Sequence, residues 1–185
     1  MVAIFWIDPG VSTGLAWGIF NPKEKLVADA MTGRLFSGSA TVGSGGHTIP
    51  DLHHHAREIY DWWTKFKTEA VVEHCMSPEK VVLGCESYLP RPNMDKNGAK
   101  GLFPAFVIGA LEAYRLAKFD SYKPMRARHY TPLTLQNPSQ GMKYMFRKYL
   151  DPWGCWAGVP EHEREAFSHI GAYLMGHMSQ PKKGR

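Results

Sequence analysis

The chain opens on an unbroken apolar run, VAIFWID (2–8), that stops at a single carboxylate, Asp8. Continuous apolarity over that length is the pattern of a central strand covered on both faces. PGVSTG then supplies turn chemistry, TGLAWGIF (13–20) predicts a second strand, NPKEK a second turn, and KLVADAMTGRLFSG (25–38) a third, less regular strand. Strand, turn, strand, turn, strand reads as an antiparallel meander. Residues 39–50 (SATVGSGGHTIP) are rich in Gly, Ser and Thr and predict a mobile loop.

Near Asp51 the period changes. Leu52, Ala56, Ile59, Trp63, Phe66 and Ala70 recur three and four residues apart, which makes one apolar helical stripe. EAVVEHC (69–75) fits either the last turns of that helix or a separate strand, and KVVLGCES (80–87) predicts a fourth strand with a second carboxylate, Glu86, near its end. YLPRPNMDKNGAKG (88–101) is a loop by composition, and LFPAFVIGALEAYRLAKF (102–119) predicts a largely buried helix. SYKPMRARHY (121–130) predicts a fifth strand, TPLTLQNPSQG a connecting loop, and MKYMFRKYL (142–150) a short amphipathic helix. EHEREAFSHIGAYLMGHM (161–178), just after Pro160, predicts a closing helix. The order β-β-β-α-β-α-β-α-α predicts an α/β fold, a mixed sheet with helices on both faces. One domain over residues 1–178 accounts for the whole pattern, and residues 179–185, with Lys182, Lys183 and Arg185, predict a disordered basic tail.

Composition changes this picture little. The 185 residues, 44% hydrophobic and 21% charged, suit one ordinary globular core. A net charge of +5 and a pI near 9.1 admit a nucleic-acid partner. Basic residues gather in the second half as Lys123, Arg126 and Arg128, then Lys143, Arg147 and Lys148; a solvated surface explains such groups equally well. No apolar stretch approaches the ~20 residues of a bilayer span. The N-terminus lacks a basic n-region and a small-residue cleavage site, so no signal peptide is expected. Cys75, Cys85 and Cys155 are odd in number and form no CxxC pair, which argues against a disulfide framework or a zinc ribbon and fits a reducing cytoplasm.

The candidate chemistry is acidic. If the first and fourth strands run parallel side by side, Asp8 and Glu86 project at one rim, where two anions repel unless protonated or bridged by cations. His162, Glu165 and His169 fall at i, i+3 and i+7 on one face of the closing helix, which would complete a pocket of oxygen and nitrogen ligands. Hard oxygen donors favour Mg²⁺ or Mn²⁺ over zinc, and histidine among them keeps Mn²⁺ competitive. Two such ions about 4 Å apart would stabilise the attacking and leaving oxygens of an in-line phosphoryl displacement, with Asp8 bridging them. Each residue also has a plainer role. Asp8 before Pro-Gly can cap a turn, Glu86 can be a strand-end carboxylate, and His162 and Glu165 can satisfy a helix start. Independent caps, however, have no reason to converge. LHHHA (52–56) is set aside as a metal site, because adjacent helical positions point about 100° apart. The tryptophans at 62–63 and 153–156 are expected to pack, and Cys85 is expected to be buried on the face opposite Glu86.

IDPGVSTG followed by a strand, then LGCESY, then HEREAFSH on the final helix resemble the motifs of RuvC-like Holliday junction resolvases, especially the bacteriophage forms, within the RNase H-like superfamily. The resemblance runs through the whole chain in order and rests on these three short motifs. It implies an RNase H-like, five-stranded mixed sheet, with three antiparallel strands and then two parallel ones. It also implies a Mg²⁺- or Mn²⁺-dependent endodeoxyribonuclease, a homodimer that cuts opposed strands of a four-way DNA junction to leave 5′-phosphate and 3′-hydroxyl ends. Carried over by motif, Asp8, Glu86, His162 and Glu165 are the implied catalytic metal ligands, with Glu165 where the family more often has aspartate. His169 resembles a histidine of some phage relatives. The lysine that the family places after the fifth strand falls here on Gln136, a departure for which Lys143 or Arg147 are candidate substitutes. Junction affinity would rest on phosphate contacts, with Lys123, Arg126, Arg128 and Lys148 as candidates. Tyr88 and Phe103 are candidate wedges at the crossover, or else core or interface residues. A non-catalytic protein of the same fold that binds branched DNA or a protein partner is the principal alternative. Actin-like phosphotransferases also open with an Asp-Gly phosphate loop but need two such domains, and 185 residues supply one.

Overall fold

A computed structural model of the chain describes residues 2–10, 12–20, 35–41, 49–73, 75, 77, 81–87, 102–120, 131–151 and 156–178. The apolar opening forms β1 (Val2–Asp8), and β2 (Ser12–Phe20) returns beside it after the Pro-Gly turn. β3 (Leu35–Thr41) follows, then α1 (Ile49–Thr68), which runs into a π-helical turn at Glu69–Glu73. β4 (Val81–Glu86), α2 (Phe103–Asp120), β5 (Leu133–Gln136), the short α3 (Pro138–Met142) and α4 (Arg147–Leu150), and α5 (Glu161–Met178) complete the order. The strands form one five-stranded sheet in the order β3-β2-β1-β4-β5. β1–β2 and β2–β3 are antiparallel, whereas β1–β4 and β4–β5 are parallel.

β1 lies at the centre, and its unbroken apolarity follows from burial on both sides. Ala3, Phe5 and Ile7 join β2, β4, α1 and α2 in one core, while Ile4 and Trp6 join Leu150 of α4 and Ala166, Phe167, Ile170 and Leu174 of α5 in the other. Phe5 anchors the first core, stacked on Trp17 with centroids 5.4 Å apart and flanked by Trp63 and Phe66 at 5.8 Å. Helices therefore cover both faces of the sheet.

Two glycines let the second face close. A Cβ at Gly14 would collide with the backbone of His162 and Glu163, so the first turn of α5 lies directly on β2. A Cβ at Gly84 would collide with the Trp6 indole, which lies across β4.

Several boundaries differ from the sequence pattern. The fifth strand expected at 121–130 lies outside the described residues; β5 is instead Leu133–Gln136, inside the segment read as a loop. Four residues between prolines carry no measurable alternation, and their place comes from backbone pairing with β4. Buried Arg115 of α2 helps deliver that strand by bonding Glu112 and the Thr131 carbonyl. β3 extends through 39–41, where a loop was expected, because pairing with Ser12–Gly14 needs no apolar side chains; residues 25–34 lie outside the described set. The single helix expected at 142–150 is two short ones. An Asn137–Gln140 capping box starts α3 early, and Phe146 is extended ahead of α4. At 69–73 the helical alternative holds, with Ala70 buried in the core. The loop at 88–100 and the tail at 179–185 lie outside the described residues.

Candidate metal centre

The parallel β1–β4 pair sets the site. Ile7 is in register with Cys85, so Asp8 and Glu86 follow one residue later on neighbouring strands. Both share the alternating face of Trp6 and Gly84, beneath α5. Asp8 lies opposite Gly14 in the β1–β2 register, and the close approach of α5 at Gly14 brings His162 over the Asp8 carboxylate.

Nδ1 of His162 is 3.0 Å from Asp8 Oδ2 and 3.1 Å from Glu165 Oε2. Asp8, His162 and Glu165 each offer one ligand atom, and these three atoms lie within 4.8 Å of one another. Burial pushes the Asp8 carboxyl up to about 7, helped by the Glu165 and Glu86 charges and opposed by the His162 hydrogen bond. That same hydrogen bond raises His162 to about 9, against the effect of burial. Nδ1 of His162 thus stands between the carboxyl groups of Asp8 and Glu165, the position a cation would occupy. The donor set of two carboxylates and one imidazole fits Mg²⁺ or Mn²⁺, provided Nδ1 releases its proton.

Glu86 belongs to a second group. Its Oε2 is 3.0 Å from Nε2 of His169, whose Nδ1 is 3.0 Å from the Gln136 side-chain amide. The His169 ring is 2% exposed and lies parallel to Trp6, with centroids 5.7 Å apart. Gly141 of α3 packs against that ring. Glu86 is outside the three-residue cluster, but its charge reaches Asp8.

Of the residues singled out in the sequence, Asp8, His162 and Glu165 are brought together, and Glu86 shares their rim. His169, on the same helix face, is 2% exposed, lies outside that cluster and bonds Glu86. Phe103 is 1% exposed in the α1/α2 core and is no wedge. Arg147 and Lys148 are exposed on α4, Arg147 paired with Asp151 at 3.0 Å, and Lys143 is exposed at the end of α3. Lys123, Arg126, Arg128 and Tyr88 lie outside the described residues. The histidines of LHHHA diverge as expected, with His53 and His54 exposed and His55 buried.

His55 has a role that the sequence reading did not give it. Burial lowers it to about 4, so it is neutral, and Nε2–H donates to Thr13 Oγ1 over 2.7 Å. The Thr13 hydroxyl in turn donates to the Gly10 carbonyl and accepts from its amide, bracing the turn that follows Asp8. The threonine of VSTG was a visible turn signal; its partner 42 residues away was not.

No family model and no curated protein matches the chain. Among solved structures it is similar to T. thermophilus RuvC in complex with Holliday junction substrate, at 13% sequence identity with a TM-score of 0.52, covering 97% of each chain. At that identity the likeness is one of fold: the chain has a RuvC-like α/β architecture.

Proposed function

We propose that this protein is a divalent-metal-dependent, structure-selective endodeoxyribonuclease of the bacteriophage resolvase type, which cuts four-way or related branched DNA junctions. The observation that carries this reading is the convergence of Asp8, His162 and Glu165 within 4.8 Å, at a rim shared with Glu86. The RuvC-like fold supports it, since the solved neighbour was captured with a Holliday junction.

Asp8, Glu86, His162 and Glu165 would hold Mg²⁺ or Mn²⁺, two ions per site, with His162 giving up its Nδ1 proton to do so. Such ions supply charge stabilisation to the attacking and leaving oxygens of an in-line displacement, which fits 5′-phosphate and 3′-hydroxyl products. The chain's own contribution is preorganisation. Asp8 is fixed by the Thr13–His55 brace behind its turn, and His162 and Glu165 by the seating of α5 on Gly14. Lys143 and Lys148 are the described cations proposed to meet phosphates, with Arg147 in exchange with Asp151, and Lys123, Arg126 and Arg128 complete the proposed DNA surface. Residues 1–178 would form the nuclease domain and 179–185 a basic tail, acting in the cytoplasm.

Opposed cuts need two sites, so the active unit is proposed to be a homodimer. From Leu102, just ahead of α2, and along the helix through Phe106, Gly109, Ala113 and Leu116, exposed positions alternate by four and three residues, a seam suited to a second helix. Incubation with a synthetic four-way junction, linear duplex and flap DNA in Mg²⁺ or Mn²⁺ tests the reading. Paired nicks in the junction are expected, abolished by Asp8→Asn or Glu86→Gln with junction binding retained. Binding without cleavage in either metal would establish the non-catalytic alternative.

A further inference from the structure

His169 is only 2% exposed, yet it is not among the three clustered donors. Its ring lies parallel to Trp6, which itself rests on Gly84, and Gly141 packs on it so closely that a Cβ there would sit 2.5 Å from Nε2. A layered stack of β4, indole, imidazole and α3 thus fixes the ring plane.

Rotation within that plane is fixed by Gln136. This residue is the register partner of Glu86 in the β4–β5 pair, and its carbonyl accepts the Ser87 amide at 2.6 Å. With the neutral imidazole, the Gln136 amide nitrogen donates to Nδ1 over 3.0 Å and its oxygen accepts from the Tyr173 amide at 3.2 Å. Nδ1 is then the acceptor, so Nε2 carries the ring hydrogen, aimed at Glu86 Oε2.

We infer that His169, oriented by Gln136, is a positioning residue that anchors one carboxylate oxygen of Glu86 and presents the other at the rim shared with Asp8. Glu86 is 26% exposed at its side chain and has three rotors, so without an anchor it would sample many orientations at the sheet edge. Outer-shell partners of this kind tune metal affinity without touching the ion. The same face of α5 then serves both carboxylates: His162 and Glu165 meet Asp8, and His169, one turn on, meets Glu86.

This inference rests on the metal-nuclease reading and is tested with the whole chain by Mn²⁺ titration without DNA, following free Mn²⁺ by electron paramagnetic resonance. His169→Leu is expected to weaken Mn²⁺ binding about 10- to 100-fold. His169→Gln, which keeps an amide donor near the position of Nε2, is expected to restore most of that loss. The Mn²⁺ half-saturation of junction cleavage should shift in parallel, with metal-free DNA affinity unchanged. Gln136→Leu leaves the imidazole in place but frees its orientation, so a several-fold loss in the same direction is expected; this variant decides the matter if His169→Leu does not fold. Folded variants with wild-type Mn²⁺ affinity, or a loss that His169→Gln fails to restore, overturn the inference while leaving the nuclease reading intact. A wild-type protein that neither binds Mn²⁺ nor cuts a junction overturns both.

Discussion

His162 Nδ1 lies between Asp8 Oδ2 and Glu165 Oε2, so a proton and a divalent ion compete for one position. The competition has a definite sign. Asp8 moves from 3.8 to about 7 and His162 from 6.5 to about 9, both upward, whereas buried His55 moves down from 6.5 to about 4 and offsets Asp8 below 6.5, so these groups give the folded protein more bound protons than the unfolded chain between 6.5 and about 9. The stabilisation tied to His162 is complete below 6.5 and lost as pH rises through about 9; that tied to Asp8 is complete below 3.8 and lost through about 7. The Tm of the metal-free protein should therefore fall as pH rises from 6.5 to about 9, and His162→Ala should flatten that fall. Added Mn²⁺ should raise Tm more at about pH 8.5 than at about pH 6, because the ion then displaces fewer protons. Thermal scans across pH, with and without Mn²⁺, check both. On the other side of the turn, Thr13→Val would strip the buried His55 Nε2–H of its acceptor and should cost about 1–3 kcal/mol in chemical denaturation.

At the scale of elements, what could be read along the chain was whatever carries its own pattern. β1 and β4 show as apolar runs ending in Asp8 and Glu86, and α5 shows through its helical period and Pro160. β5 and the end of β3 did not show, since four residues in an edge strand, or a run of Gly, Ser, Ala and Thr, are held by backbone pairing that leaves no trace in side-chain type. The site divides along the same line. Asp8, Glu86, His162 and Glu165 were legible as carboxylates at strand ends and a three-residue helical spacing. Trp6 looked like plain core, Gln136 like a departure, and Gly84 and Gly141 like nothing in particular, because each matters only through a contact made across the fold. Gly14 gives the sharpest test of an element's placement. Gly14→Ala puts a methyl group into the first turn of α5 and should cost about 1–3 kcal/mol through overpacking. It should also weaken Mn²⁺ binding by moving His162 and Glu165 off Asp8. Denaturation and metal titration of the same sample read the two effects.

For the whole molecule, the topology and not the sequence carries the likeness to RuvC, with 97% of each chain superposed at 13% identity. A buried central β1, parallel to β4 and covered by α5, brings two strands and a helix to one rim. The proposed dimer belongs to this scale too. Phe106, 49% exposed midway along the α2 seam, should act as its anchor, so sedimentation velocity is expected to show a dimer that Phe106→Glu converts to monomer. All of this depends on a divalent ion entering between the acidic side chains of β1 and α5. Crystals grown with Mn²⁺ and measured at the manganese edge test that directly. The account predicts an anomalous peak at about 2.0–2.3 Å from Asp8 Oδ2, Glu165 Oε2 and His162 Nδ1. No peak there, with His162 still bridging the two carboxylates, would contradict it.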